Sequence, residues 1–190
     1  IEKLLAMTKR IRVGRWDAEP PPFYGPVISD GAAKRVLEAQ ADLIGRGARA
    51  LMPSEAKAQC AAMLTPGLID VTDVPKRSDI EIFGPLLQII RVKSLEEAIT
   101  VANDTSFGLS AGLLSDSSES YAKFASRIRA GVIAWNRQTT GASGLLPFGG
   151  VGKSGNHRPA GYFSGDYCSY PVAVYEADRM TMPSSATPGL

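Results

Sequence analysis

Apolar residues recur at helical spacing from the first residue of the chain: Ile1, Leu4, Leu5, Thr8 and Ile11 fall at i, i+3, i+4, i+7 and i+10. The pattern predicts an amphipathic helix with no capping side chain ahead of it. Its first N–H groups then lack a local acceptor, so the helix reads as cut rather than begun and the chain as a C-terminal fragment. The Pro-rich residues 19–22 fix φ and remove donors, which predicts an extended surface linker. Beyond it Ser29 stands as an N-cap, Ala33, Leu37, Ala41 and Ile44 line one helical face, and Gly45 or Gly47 takes the left-handed terminal position. Residues 48–52 read as a short strand, and residues 64–74, punctuated by Pro and Gly, as an irregular hairpin.

From Leu86 the pattern sharpens. Residues 86–92 form a strand-length apolar run directly ahead of Ser94-Leu95-Glu96-Glu97, a capping box. Leu95, Ala98, Ile99 and Ala102 give the following helix its inward face, and Asn103-Asp104 breaks it before a second run at residues 111–114. The grammar repeats: Asp116 and Glu119 cap, Tyr121, Phe124, Ala125 and Ile128 face inward, Gly131 ends the helix, and residues 132–135 make a third strand. Two crossovers of this length favour parallel strands, hence an α/β fold with an open, mostly parallel three-layer sheet and ligands at the carboxyl ends. The loop at residues 137–155 is Gly-rich and almost uncharged, and a loop of that length calls for a role. Residues 166–175 alternate loosely and read as a terminal strand, an edge seeking a partner.

Composition narrows the possible partners. Lys plus Arg number 21 against 19 Asp plus Glu, a net charge of +2, and no basic run stands out, which argues against nucleic acid and against an anionic membrane surface. No apolar run approaches the roughly 20 residues that span a bilayer, and the opening residues lack the pattern of a secretory signal. Cys60 and Cys168 are far apart and the chain holds one histidine, His157, so Cys and His cannot assemble a four-ligand zinc site. Both cysteines read as free thiols, and a reducing, cytoplasmic setting is expected.

Four segments carry further information: Glu81-Ile82-Phe83-Gly84-Pro85, Thr105-Ser106-Phe107-Gly108-Leu109-Ser110-Ala111, Gly131-Val132-Ile133-Ala134-Trp135-Asn136, and Pro147-Phe148-Gly149-Gly150-Val151-Gly152-Lys153-Ser154-Gly155. In this order and spacing they resemble the aldehyde dehydrogenase superfamily, as does Tyr24-Gly25-Pro26-Val27-Ile28-Ser29 upstream. The resemblance implies NAD-linked oxidation of an aldehyde to an acid through a cysteine thiolate, with a glutamate activating the hydrolytic water. Ser154-Gly155-Asn156-His157-Arg158-Pro159 and Asp166-Tyr167-Cys168-Ser169-Tyr170-Pro171 resemble the branch acting on a succinylated, anionic semialdehyde. The alternative is the branch acting on free glutamate semialdehyde, which Thr139-Thr140-Gly141-Ala142 also resembles, or a truncated module that oligomerises without chemistry.

On this resemblance Glu81 holds the nicotinamide ribose hydroxyls, since a carboxylate accepts two hydrogen bonds from adjacent hydroxyls, and Phe83 walls the nicotinamide ring. Gly141, Ala142 and Ser143 anchor a substrate carboxylate through main-chain N–H groups, as in an anion nest. Phe148 lines the aldehyde channel or packs beneath the loop. Arg158, with His157, is a further carboxylate ligand or a solvated surface group, and Lys153 is a surface group or stabilises the loop. Ile80 departs from the family, which has a second glutamate there. The nucleophilic cysteine, the general-base glutamate and the Gly-rich cofactor turn are expected upstream, because neither Cys60 nor Cys168 lies in a matching segment. These 190 residues alone are therefore expected to be inactive. Residues 1–160 resemble the later part of the catalytic domain, and residues 161–190 the oligomerisation strand and tail of a homodimer or dimer of dimers.

Overall fold

A computed structural model of the chain describes residues 1–141, 143–182, 185 and 188–189. The fold divides into two compact units, Ile1–Thr105 and Ser106–Leu190.

The first unit opens on α1 (Glu2–Thr8), which begins without a side-chain cap. The Pro-rich run is not an extended linker. Val13 bridges to Tyr24 and the Phe23 N–H donates to the Arg12 carbonyl at 2.8 Å, so residues 14–22 form a closed loop. An Arg15–Asp17 ion pair at 2.9 Å sits on its turn. Helix α2 (Asp30–Gly45) starts as its sequence predicts, with Ser29 Oγ accepting the Ala32 N–H at 3.1 Å, and Gly47 beyond its end is left-handed at φ 103°.

Strand β1 (Arg49–Met52) follows, and β2 (Ala56–Lys57) pairs antiparallel with β3 (Cys60–Leu64). Strand β4 (Gly67–Asp70) lies antiparallel to β1 and parallel to β5 (Leu86–Ile89), giving the sheet order β1-β4-β5. Residues 64–74 are thus not a hairpin. All four residues of β4 are buried, and a strand covered on both faces shows none of the alternation by which a sequence reveals its register. Helix α3 (Leu95–Asn103) has Ser94 Oγ on the Glu97 N–H at 3.1 Å, while the Glu97 carboxylate reaches back to the Lys93 N–H at 2.6 Å. Ile99 is buried, but Ala102 faces outward, contrary to the predicted face.

In the second unit β6 (Ser110–Leu113) and β7 (Val132–Trp135) pair in parallel around α4 (Ser118–Ala125), the predicted crossover. Within each unit, β5 pairs with β4 and β6 with β7. The cap of α4 is Ser117, one residue beyond the predicted Asp116, with its Oγ on the Ser120 N–H at 3.1 Å. Helix α4 ends at Ala125, well before Gly131.

Strand β8 (Pro147–Phe148) pairs antiparallel with β9 (Ala160–Gly161), separated by a 3₁₀ turn at Gly152–Ser154. The predicted strand at residues 166–175 is instead the end of a single-turn helix, α5 (Ser164–Tyr167), and a stretch without strand pairing beyond it. A ladder requires a neighbouring edge, and these residues pair with none among the described residues. The sheets are open and the fold is mixed α/β, as expected.

The core of the first unit has two parts. Leu43, Ala48, Ile69, Val71 and Val74 form one, and Ala33, Val36 and Leu64 the other, with Ile82 and Leu86 packed against both. Among the described residues no helix is long and apolar enough to cross a membrane, and no group of three or more His, Cys, Asp and Glu side chains is placed to hold a metal.

Candidate functional site

The first candidates flank a residue that packs on the core. Ile82 is half-buried against both clusters, and Glu81 and Phe83 on either side of it are exposed. The stretch is held against α2 at Gly84, where the isopropyl group of Val36 fills the space any Cβ would need. Backbone turns from Gly84 N–H to Ile82 O and from Leu86 N–H to Gly84 O, both 2.9 Å, then feed the chain into β5.

Glu81 and Phe83 thereby line a groove of about 630 Å³ whose other wall is α2, through Ala32, Arg35 and Val36. The lining is apolar apart from one cation, Arg35, and one anion, Glu81, and no ion pair joins them among the described residues. A carboxylate with unused acceptor capacity beside an exposed ring suits a ligand that presents adjacent hydroxyls next to a flat apolar face. The residues present therefore fit the ribose and nicotinamide of a dinucleotide. Arg35 was not visible as a candidate in the sequence. Its signal was its place on α2 immediately before Val36, once that helix is known to face the Glu81 segment.

The remaining candidates lie in the second unit. Gly141 is left-handed at φ 102°, a conformation that glycine takes without steric cost. Ser143 accepts twice, its Oγ from the Leu145 N–H and its carbonyl from the Leu146 N–H, both at 3.2 Å. Its hydroxyl hydrogen is then left to donate outward from an exposed position. Ala142 lies outside the described residues. Phe148 is half-buried in β8, opposite Ala160, so it sits on a two-stranded support. Arg158 is exposed two residues before β9 and borders a separate groove of about 390 Å³ with Pro159, Phe163, Asp166 and Tyr167. Asn156 Oδ1 accepts the Arg158 N–H at 3.0 Å, and His157 between them is left-handed at φ 64°. Gly141, Ser143, Phe148 and Arg158 thus share one unit, with Ser143 and Phe148 on the β8 approach and Arg158 at the next bend.

The glycines of the Pro-Phe-Gly-Gly segment bring two main chains into direct contact. A Cβ on Gly131 would overlap the Gly149 carbonyl, and the Val151 and Lys153 N–H groups donate to Gly108 O at 3.0 Å and Ser106 O at 2.8 Å. The Lys153 ammonium lies 5.6 Å from the Phe107 ring centroid, in keeping with a loop-stabilising role. Cys60 is half-buried and Cys168 exposed, and both are free thiols.

Comparison with known proteins sets these features in context. A family model described as the aldehyde dehydrogenase family matches residues 1–172. The N-succinylglutamate 5-semialdehyde dehydrogenases of Ectopseudomonas mendocina and Chromobacterium violaceum are each 50% identical over 190 residues, which is 100% of this chain and 39% of the relative. The chain thus spans about two fifths of the length of these relatives. Among solved structures, a succinate-semialdehyde dehydrogenase from Burkholderia pseudomallei is similar with a TM-score of 0.78 and 32% identity, covering 87% of this chain and 34% of that one. A 1-pyrroline-5-carboxylate dehydrogenase from Thermus with bound NAD is similar with a TM-score of 0.76 and 33% identity, covering 84% and 31%.

Proposed function

This chain belongs to the aldehyde dehydrogenase family, and from that premise we propose that it is the later part of an enzyme oxidising N-succinylglutamate 5-semialdehyde to N-succinylglutamate with NAD, in the cytoplasmic breakdown of arginine. The observation that carries the reading is the 50% identity to enzymes of that name along the full 190 residues. The groove beside Glu81 supports it. Glu81 would hold the nicotinamide ribose hydroxyls, Phe83 would wall the ring, and the bound dinucleotide would supply the hydride acceptor. Gly141, Ala142 and Ser143 would engage a carboxylate of the substrate, with Arg158 as a second anionic contact and Phe148 as an apolar wall. A succinylated semialdehyde carries its carboxylates away from the reacting carbonyl, so donors on a loop suit it.

Residues 1–160 belong, on this reading, to the catalytic domain. Residues 161–190 form a homo-oligomer interface, of a dimer or a dimer of dimers, which the exposed alternate residues Tyr170, Val172 and Val174 support. The nucleophilic cysteine and general-base glutamate lie outside these 190 residues, which alone form no NADH. The test is turnover by the intact protein with NAD, comparing N-succinylglutamate semialdehyde with glutamate semialdehyde. A higher kcat/KM for the succinylated substrate is expected, and preference for free glutamate semialdehyde overturns the substrate assignment. In the same assay Glu81→Gln should raise the KM for NAD about tenfold, a loss of one charge-assisted hydrogen-bonding site. An unchanged value removes Glu81 from the cofactor site.

A further inference from the structure

Asn136 ends β7 with a left-handed backbone, φ 51°, a conformation that Asn tolerates better than other side chains. Its amide oxygen accepts the Ser115 N–H at 2.9 Å and its amide nitrogen donates to the Ser115 carbonyl at 2.9 Å. One side chain therefore satisfies both main-chain groups of the residue just past β6. The Trp135 indole N–H donates to the same carbonyl at 2.8 Å, and its ring stacks on Tyr121 of α4 with centroids 4.6 Å apart and planes 6° apart. Downstream, the Thr139 methyl lies 3.0 Å from the place a Cβ on Gly112 would occupy, so the loop crosses back over β6 where that strand lacks a side chain. The chain leaving β7 is thus fixed by an amide clamp at Ser115 and a close approach at Gly112 before it reaches Gly141 and Ser143.

We infer that Asn136 is a positioning residue: by clamping Ser115 while its own backbone reverses, it sets the direction in which the loop bearing Gly141 and Ser143 leaves the sheet, and so governs affinity for the aldehyde without touching it. The inference rests on the proposal that this loop anchors the substrate. Clamped loops of this kind raise binding by holding donors in place, and small displacements of such donors are costly.

The test uses the intact enzyme with Asn136→Gly and Asn136→Asp. Glycine keeps the left-handed backbone and removes both side-chain bonds, whereas aspartate keeps the acceptor and loses the donor. The KM for N-succinylglutamate semialdehyde should rise about tenfold in the glycine variant and by a smaller factor in the aspartate variant, with the KM for NAD and the melting temperature essentially unmoved. Hydrogen exchange at residues 137–141 should quicken in the glycine variant, a readout that does not depend on activity. Unchanged exchange there overturns the inference, as does a matched rise in KM for both substrates, which marks a merely structural residue. Ser143→Ala separates the two ideas: if it leaves the aldehyde KM unchanged, the anchoring role of the loop fails, whatever Asn136 does.

Discussion

The two units are of comparable length but are held together differently. Among the described residues, 14 of the 16 buried hydrophobic side chains belong to the first unit, and only Phe124 and Ile128 to the second. The first unit is a conventional side-chain core in which Leu64, Ile69 and Val71 are fully sequestered. The second relies on main-chain contact, with the glycines at 131, 149 and 150 letting one stretch of main chain lie close against another, and it leaves large apolar groups outside. Tyr170, Val172, Val174 and Tyr175 are between 66% and 96% exposed. A unit that buries little of its own apolar surface gains from being covered, which fits the proposed interface role of residues 161–190. The cofactor candidates sit on the unit with the larger side-chain core, and the substrate candidates on the unit whose loops are held by main-chain contacts and by the Asn136 amide at Ser115.

The sharpest break in this comparison is a cavity in the first unit. Ile69→Ala removes most of a fully buried side chain from the central strand and should cost about 4 kcal/mol. Denaturant unfolding measures the loss, and hydrogen exchange locates it. Amides of β4 and β5 should lose protection while those of β6 and β7 keep theirs, and equal loss in both would mean that the units do not unfold separately. The converse change is Gly131→Ala. The added methyl meets the Gly149 carbonyl, which is backbone and cannot swing aside, so the cost should be about 3 kcal/mol, with exchange quickened in β6 and β7 first. If Gly131→Ala is as stable as the parent, main-chain contact is not what holds the second unit.

The same contrast explains what the sequence revealed and what it hid. The caps at Ser29 and Ser94 were legible because a hydroxyl before a periodic apolar run has one strong use, and the inward face of α4 was legible from its spacing. Residues 64–74 misled because β4 is buried on both sides, and Gly131 misled because a glycine can end a helix or admit a neighbouring carbonyl, and the sequence does not distinguish these. The final segment alternated like a strand, but pairing depends on a free edge, and it meets none among the described residues. Glu81 and Phe83 were named from their motif alone. Their place beside α2 became visible only when Ile82 was seen to pack against the core, and Arg35 and Asn136 required the tertiary contacts.

The smallest expected effect tests whether electrostatics also favours the first unit. Asp70, at the end of β4, is buried and accepts from the Thr72 hydroxyl at 2.6 Å, from the Thr72 N–H at 3.1 Å, from Arg91 at 2.9 Å and from Arg49 at 3.2 Å. The Thr72 hydroxyl foremost, then the Arg91 guanidinium, hold its carboxyl well below the usual carboxylate range against the opposing effect of burial. A carboxylate whose folded pKa is depressed stabilises the fold fully above its unfolded pKa, near 3.9, and loses that contribution as pH falls toward the folded value. Asp70→Asn should therefore cost about 2 kcal/mol at neutral pH, the scale of hydrogen bonds to a charged group. The gap to the parent should stay level down to about pH 4 and then narrow with further acidification, because the parent loses its advantage as its own carboxylate is protonated. Denaturation curves at stepped pH give the gap, and exchange shows where it acts: β1, β4 and β5 should respond and β6 and β7 should not. A gap that is flat through the acid range would mean that these donors hold Asp70 by geometry alone, and that packing is the whole of the first unit's advantage.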